Sequence, residues 1–293
     1  MQSKVIIFSL FLLATLSLSA QAVSAPLKIL IVNDDGCESA GSTLLQDKLK
    51  AKGYEVWMVA PATNQSGVGS AITFKTGKLF EVKTVADRRY CFPGTPADAV
   101  DFGLRGLLKD NPPDLVISGV NDGPNTGMSQ VNSGTVSAAV RAVRYGIPAI
   151  AASIGYLLSE QEMKNHWPAT HKYQPDSVDY VVGLVDKLNA KRTAGSPLLP
   201  KGSGLSINYP ALARSHIKGV HYSENERYPT PQIGYQLMED GKAKQIFNPA
   251  ALEPTTDNTD SGWLNKGYIV YTLFDGSWDA PQYQARYQAL LAE

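Results

Sequence analysis

Asn33-Asp34-Asp35-Gly36 stands directly after the apolar run Leu27–Val32. Two adjacent carboxylates repel unless something positive lies between or beside them. A hard divalent cation, which takes oxygen ligands, is the simplest candidate. Three further segments bring oxygen donors or free backbone N–H groups. Pro61 to Gly67 carries Ser66. Gly119 to Gly127 carries Asn121 and Asn125. Ser133-Gly134-Thr135 stands where an apolar-periodic segment begins. Two carboxylates, a hydroxyl and side-chain amides make an all-oxygen set of the kind Mg²⁺ or Mn²⁺ prefers. A helix start with free N–H groups binds phosphate readily. Each piece alone has a plainer reading: a turn at Asn33–Gly36, a loop at Ser66, turn asparagines among glycines, a helix cap at Ser133. The four in this order are much less easily explained as coincidental turns.

These segments need a scaffold that gathers them. Strand-like apolar runs cover Lys28–Asn33, Glu55–Ala60, Asp114–Ser118, Ala149–Ile154, Gly204–Asn208 and Tyr268–Phe274. Helical patterns alternate with them. Ser42–Lys52 has Leu44, Leu45 and Leu49 on one stripe and Gly53 as its stop. Thr95-Pro96-Ala97-Asp98 spells a capping box with proline in the first turn. Val136–Tyr145 forms a third helix. Wholly apolar strands alternating with helices predict an α/β fold: a Rossmann-like, mainly parallel sheet with helices on both faces. In such sheets ligands bind beyond the C-terminal ends of the strands, where all four oxygen-rich segments would then lie. Gly155–Gln174 reads as a long loop or lid. Gly219–Asp260 reads as an extended hairpin or arm, and Pro281–Leu291 as a short terminal helix.

The N-terminus has a short positive segment, an apolar run from Val5 to Leu18 and a small-x-small signal at Ala20-Gln21-Ala22. This predicts a signal peptide over residues 1–22 and a secreted or periplasmic protein with no membrane anchor after cleavage. A Rossmann-like core is expected over 23–215 and a C-terminal extension over 216–293. Lys plus Arg and Asp plus Glu both number 27, so bulk charge gives no reason to expect nucleic-acid duplex binding. Cys37 and Cys91 are the two cysteines; a disulfide and two unpaired residues are both open readings. His166, His171, His216 and His221 show no metal-ligand spacing with an acidic residue, which argues against zinc.

With these residues in view, the chain resembles the SurE family of metal-dependent 5′/3′-nucleotidases. The resemblance rests on Asn33–Gly36, Val59-Ala60-Pro61 with Ser66-Gly67, Gly94–Asp98, Ser118–Asn125 and Ser133–Val136. It continues more weakly in Leu205–Pro210, Thr259-Asp260 and Gly267-Tyr268. It implies hydrolysis of nucleoside 5′-monophosphates, with 3′-monophosphates as a further class, to nucleoside and phosphate. It implies one Mg²⁺ or Mn²⁺ per subunit on Asp34, Asp35, Ser66 and Asn121, with phosphate contacts at Asn125, Ser133, Gly134 and Thr135. Asp34 and Asp35 would be the catalytic carboxylates. It further implies a homodimer or dimer of dimers in which the C-terminal arm exchanges between subunits. Two places depart from the family pattern: Ser39-Ala40-Gly41 replaces Ala-Pro-Gly, and Arg141 stands where an acidic residue is usual. A secreted phosphate- or nucleotide-binding protein without turnover is the alternative. A serine hydrolase ranks last, because no Gly-x-Ser-x-Gly elbow is present.

Overall fold

The structure, a computed structural model, describes residues 26–193, 195–227, 233–248, 258–277 and 279–291. The signal-peptide expectation for residues 1–22 lies outside them. In chain order the elements begin β1 (Lys28–Val32), α1 (Ala40–Ala51), β2 (Glu55–Pro61), β3 (Lys83–Ala86), β4 (Arg89–Phe92) and α2 (Pro96–Phe102, running into a π-helical turn over Gly103–Leu107). Then come β5 (Leu115–Asp122), α3 (Ser129–Asn132), α4 (Gly134–Arg144), β6 (Ala149–Ile154), α5 (Glu160–Lys164), α6 (Pro168–Lys191) and β7 (Gly204–Tyr209). The last are β8 (Val220–Tyr222), β9 (Ile233–Leu237), β10 (Ala243–Phe247), α7 (Asp260–Asn265), β11 (Ile269–Phe274) and α8 (Gln284–Leu291).

Nine strands form one sheet in the order β3-β4-β2-β1-β5-β6-β7-β11-β8. From β4 to β7 every neighbouring pair is parallel; β3 runs antiparallel to β4, and β11 antiparallel to β7. The chain winds outward from β1 through β2 to β4, then returns to β5 and winds the other way. The order therefore reverses between β1 and β5, and the crevice beyond their C-terminal ends is where such sheets bind ligands.

Strand alternation builds the two covering layers. Ile29 and Ile31 of β1 pack with Leu45 and Leu49 of α1 and Val178, Val181 and Val185 of α6. Leu30 and Val32 face the other way, toward Val100 and Leu104 near α2 and Ala138, Ala139 and Ala142 of α4. Each buried Leu, Ile or Val among these contributes roughly 1.5–3 kcal/mol, and each alanine about 0.8 kcal/mol. The capping box at Thr95 forms as its spelling predicts: Thr95 Oγ1 accepts from Asp98 N–H (3.1 Å), and Asp98 Oδ2 accepts from Thr95 N–H (3.0 Å).

All six expected strands are present, but Gly155–Gln174 is corrected. It is not a long loop or lid: it contains α5 and the first turns of the 24-residue α6. The buried stripe of α6 starts with Ala169, Thr170, Gln174 and Ser177 and turns aliphatic only from Val178, and Pro175 lies inside it. Polar residues on the buried face and an internal proline erased the apolar period. The expected hairpin in Gly219–Asp260 exists as β9 paired antiparallel with β10. Its described side chains are largely exposed, as is all of α8.

Candidate active site

The loop after β1 is shaped by a buried asparagine. Asn33 Nδ2 donates to Gly36 O (2.9 Å), Ser39 Oγ (3.0 Å) and Ser42 Oγ (2.7 Å), while its Oδ1 accepts from Gly36 N–H (2.9 Å). Gly36 has φ +116°, which L side chains rarely adopt. The loop is then sewn to its neighbours. Cys37 forms a disulfide with Cys91 of β4, which decides the open reading of the cysteines. Cys37 N–H donates to Pro61 O (2.9 Å), and Gln65 N–H donates to Asp34 O (2.7 Å). These bonds bring the exposed Ser66 onto the same edge as Asp34 and Asp35.

Helix α4 closes the opposite side. Asp34 Oδ1 accepts from Thr135 Oγ1 at 2.5 Å. Gly134 is indispensable to this approach, because a Cβ there would lie 2.7 Å from Asp34 Cβ and 2.9 Å from its Oδ2. Ser133 Oγ accepts from Val136 N–H (3.0 Å) as the cap of α4, so its own O–H remains free to donate. Asn121, at the end of β5, donates from Nδ2 to Gly123 O (2.8 Å), an arrangement in which its side-chain oxygen could serve a cation.

The Gly123–Gly127 loop is held by polar side chains from distant elements. Asn125 N–H donates to Asn208 Oδ1 (2.8 Å), and Asn208 Nδ2 returns a bond to Asn125 O (3.1 Å). Asn125 Nδ2 is committed to Ser153 Oγ (2.8 Å). Gly127 N–H donates to Asp260 Oδ2 (2.8 Å), and the other oxygen of Asp260 accepts from Glu226 N–H and Ser261 N–H, both at 2.9 Å. Asn208 and Asp260 were not among the expected site residues. Their only signal was membership of the weaker motifs Leu205–Pro210 and Thr259-Asp260.

No lysine or arginine among the described residues pairs with Asp34 or Asp35. Burial raises the pKa of Asp34 above the usual carboxylate value, against hydrogen bonds from Thr135 and Gly134 that lower it. Burial, then the charges of Asp34 and Asp122, push Asp35 up to about 7. Asp35 Oδ2 is buried without a hydrogen-bond partner. Such an orphaned anionic oxygen beside a second carboxylate fits a divalent cation on Asp34 and Asp35, with Asn121, Ser66 and water completing the set. Among the described residues no group of three His, Cys, Asp or Glu side chains is arranged for a metal, so two carboxylates are the most this site offers directly. Asp122, also unforeseen, adds a third negative charge nearby; burial raises its pKa, while His171 and Gln174 lower it.

Arg141 does not enter this electrostatics through any contact with Asp34 or Asp35. Its Nε and an Nη donate to both oxygens of Asp101 (2.7 and 2.5 Å), with Tyr145 alongside, clamping α4 to α2. His221 stacks on Trp263 at 3.8 Å.

The structure thus has a carboxylate pair beside a helix N-terminus at the switch point of a doubly wound α/β sheet. A protein-family model described as "Survival protein SurE" matches residues 29–230. This chain belongs to the SurE family. It is 34% identical over 213 residues to "5′-nucleotidase SurE" of Paramagnetospirillum magneticum, covering 73% of this chain and 74% of the relative. It is 29% identical over 251 residues to "5′-nucleotidase SurE" of Bradyrhizobium sp. (strain ORS 278), covering 84% and 92%. The crystal structure of SurE protein from Aquifex aeolicus superposes with a TM-score of 0.72 at 28% identity, over 90% of this chain and 99% of that one.

Proposed function

We propose that this chain is a metal-dependent 5′-nucleotidase, a phosphomonoesterase releasing phosphate from nucleoside 5′-monophosphates, with 3′-monophosphates as a further substrate class. The observation that carries the reading is the orphaned Asp35 oxygen next to Asp34, whose own carboxylate lies against the N-terminus of α4 at Gly134. Asp34, Asp35, Ser66 and Asn121 would hold one Mg²⁺ or Mn²⁺. A bound ion supplies positive charge against phosphate oxygens and lowers the pKa of water. The chain supplies the rest. The Ser133 hydroxyl, at the positive end of the α4 dipole, receives phosphate charge. Thr135 orients Asp34, whose carboxylate would take a proton from an attacking water. Water then adds to phosphorus, the ester P–O bond breaks, and the nucleoside leaves carrying a proton. Asn208 and Asp260 hold the loop that presents Asn125.

The binding-only alternative drew on Arg141, and the pairing of Arg141 with Asp101 removes that motive. The serine-hydrolase alternative has no support at Ser66, which no described histidine contacts. For partners, we infer a homodimer or a dimer of dimers. The exposed Tyr235 and Leu237 of β9 and Tyr287, Leu290 and Leu291 of α8 support an exchanged C-terminal arm. The Cys37–Cys91 disulfide supports a secreted or periplasmic location.

The test is phosphate release by the chain from residue 23 onward, from a panel of 5′- and 3′-monophosphates. It is measured after chelation and again with Mg²⁺, Mn²⁺ or Zn²⁺ restored. Turnover returning with Mg²⁺ or Mn²⁺ is expected. A folded protein that binds nucleotide without turnover under any metal would transfer the reading to a binding protein.

A further inference from the structure

We propose that Tyr156 is a substrate-contacting residue whose hydroxyl donates a hydrogen bond to the phosphate ester held over Asp34 and Asp35; the role rests on the nucleotidase reading above. Tyr156 follows β6, which pairs with β5 through Asn121↔Ser153 and Asp122↔Ile154. It therefore emerges on the same sheet edge as the rest of the site.

The surrounding chain fixes this side chain. Gly155 N–H donates to Tyr209 O (2.6 Å), and Thr170 Oγ1 donates to Gly155 O (2.8 Å). The Tyr156 ring stacks on Trp167 at 4.2 Å with the planes 17° apart. Trp167 and the preceding His166 have φ +58° and +56°, a left-handed backbone uncommon for bulky residues. Glu162 holds this pair: its carbonyl accepts from Trp167 N–H (2.8 Å), and its Oε2 accepts from Ala169 N–H (2.8 Å). A strained junction kept in place by specific bonds is a pointer to function, and here it supports the ring that faces the site.

The hydroxyl is what packing alone does not explain. It lies so close to the Asn121–Asn125 loop that a Cβ on Gly123 would meet Tyr156 Oη at 2.4 Å and Cζ at 2.8 Å. Glycine at 123, with φ +119°, makes room for it. The hydroxyl makes no hydrogen bond to any described residue. Burial, then the charges of Asp122 and Asp35, raise its pKa, so it stays protonated and available as a donor. Asp35 Oδ2 is likewise without a partner. The donor and the acceptor are close enough for the Asp35 charge to bear on Tyr156, yet neither satisfies the other. A cation answers the acceptor; a phosphate ester oxygen answers the donor.

The experiment compares the wild-type chain with Tyr156→Phe, which keeps the ring and its stack on Trp167. The readouts are turnover of adenosine 5′-monophosphate, inhibition by inorganic phosphate, inhibition by adenosine, and melting temperature. The expected result is a loss of about tenfold or more in kcat/KM and weaker inhibition by inorganic phosphate. Inhibition by adenosine and the melting temperature stay unchanged. An active wild type with Tyr156→Phe within about twofold of it overturns the proposal alone. Weakened adenosine inhibition with unchanged phosphate inhibition overturns it by moving the contact to the nucleoside. A melting temperature that falls together with activity overturns it by making the hydroxyl structural. A wild type releasing no phosphate from any monophosphate refutes the nucleotidase reading and takes this one with it.

Discussion

Asp35→Asn makes the metal-free protein more stable at alkaline pH while abolishing turnover. Asp35 has its pKa raised from 3.8 to about 7 by burial and by the charges of Asp34 and Asp122. Between those values the folded chain binds a proton that the unfolded chain does not. The stability this proton contributes is present in full below about pH 4 and is lost as pH rises through about 7. Each pH unit between the two values is worth about 1.36 kcal/mol, which makes the whole span about 4 kcal/mol. Asparagine has the same shape and no charge to desolvate. In chelator, above about pH 8, the variant should exceed the wild type by up to about 4 kcal/mol, and below about pH 4 the two should coincide. At roughly 2–4 °C per kcal/mol for a chain of this size, the difference is on the order of 10 °C in melting temperature. Urea and thermal unfolding across this pH range measure it directly. Added Mg²⁺ should stabilise the wild type by mass action and leave Asp35→Asn unmoved. Equal stability of the two proteins at alkaline pH in chelator would show that the Asp35 charge is already compensated within the fold, and the argument for a cation would lose its basis.

Gly134→Ala forces a Cβ to within 2.7 Å of Asp34 Cβ and 2.9 Å of Pro96 Cγ. Steady-state phosphate release should fall by about a hundredfold, with a stability loss of about 1–3 kcal/mol in urea unfolding. Asn208→Leu strips both backbone partners from Asn125; denaturation should show a loss of about 1–3 kcal/mol, and KM for adenosine 5′-monophosphate should rise as the loop rearranges. Cys91→Ser opens a disulfide that spans 54 residues. Chain entropy sets its cost at about 4 kcal/mol, and the variant should match reduced wild type in both unfolding and turnover.

The parts of the fold visible in the sequence were those whose signals are local. Apolar strands such as Leu115–Ser118, the capping box at Thr95 and the glycine stop at Gly53 need only neighbouring residues to be read. What stayed hidden depends on distant partners. Helix α6 presents Thr170, Gln174 and Ser177 to the interior, tolerated because Thr170 bonds Gly155 O and Ser177 bonds Gln174 O. The edge pair β3–β4 is too short and too polar to alternate clearly, yet Cys91 within it anchors the site by the disulfide. The site divides the same way. Asp34, Asp35, Asn121 and Ser133–Thr135 are marked by motifs at strand or helix ends. Asn208 and Asp260 lie more than 80 residues from the loop they hold, and only the pairing of β6 with β7 and the placement of α7 reveal their purpose. Tyr156 was unmarked for a different reason: its meaning depends on the absence of a side chain at Gly123.

Asp34 and Asp35 are neighbours in sequence but not in electrostatic situation. Asp34 lies against the start of α4, where the hydroxyl of Thr135 and the N–H groups of Gly134 and Thr135 bear on it. A helix N-terminus carries about half a positive charge, so Asp34 is anchored and partly compensated by the fold itself. Among the described residues, Asp35 has only the hydrogen bond from the Asp122 backbone and two negative neighbours. A lysine beside Asp35 would relieve that repulsion permanently and would also occupy the space in front of both carboxylates. Leaving Asp35 uncompensated costs stability in the metal-free chain, a cost that, on the proposed reading, would be relieved by a cation from solution. The Ser133 and Tyr156 hydroxyls, at the starts of α4 and of the segment after β6, add donors to this sheet edge. On the proposed reading, the carboxylate oxygens and the hydroxyl donors supply the two polarities that a phosphate ester and its counter-ion require together.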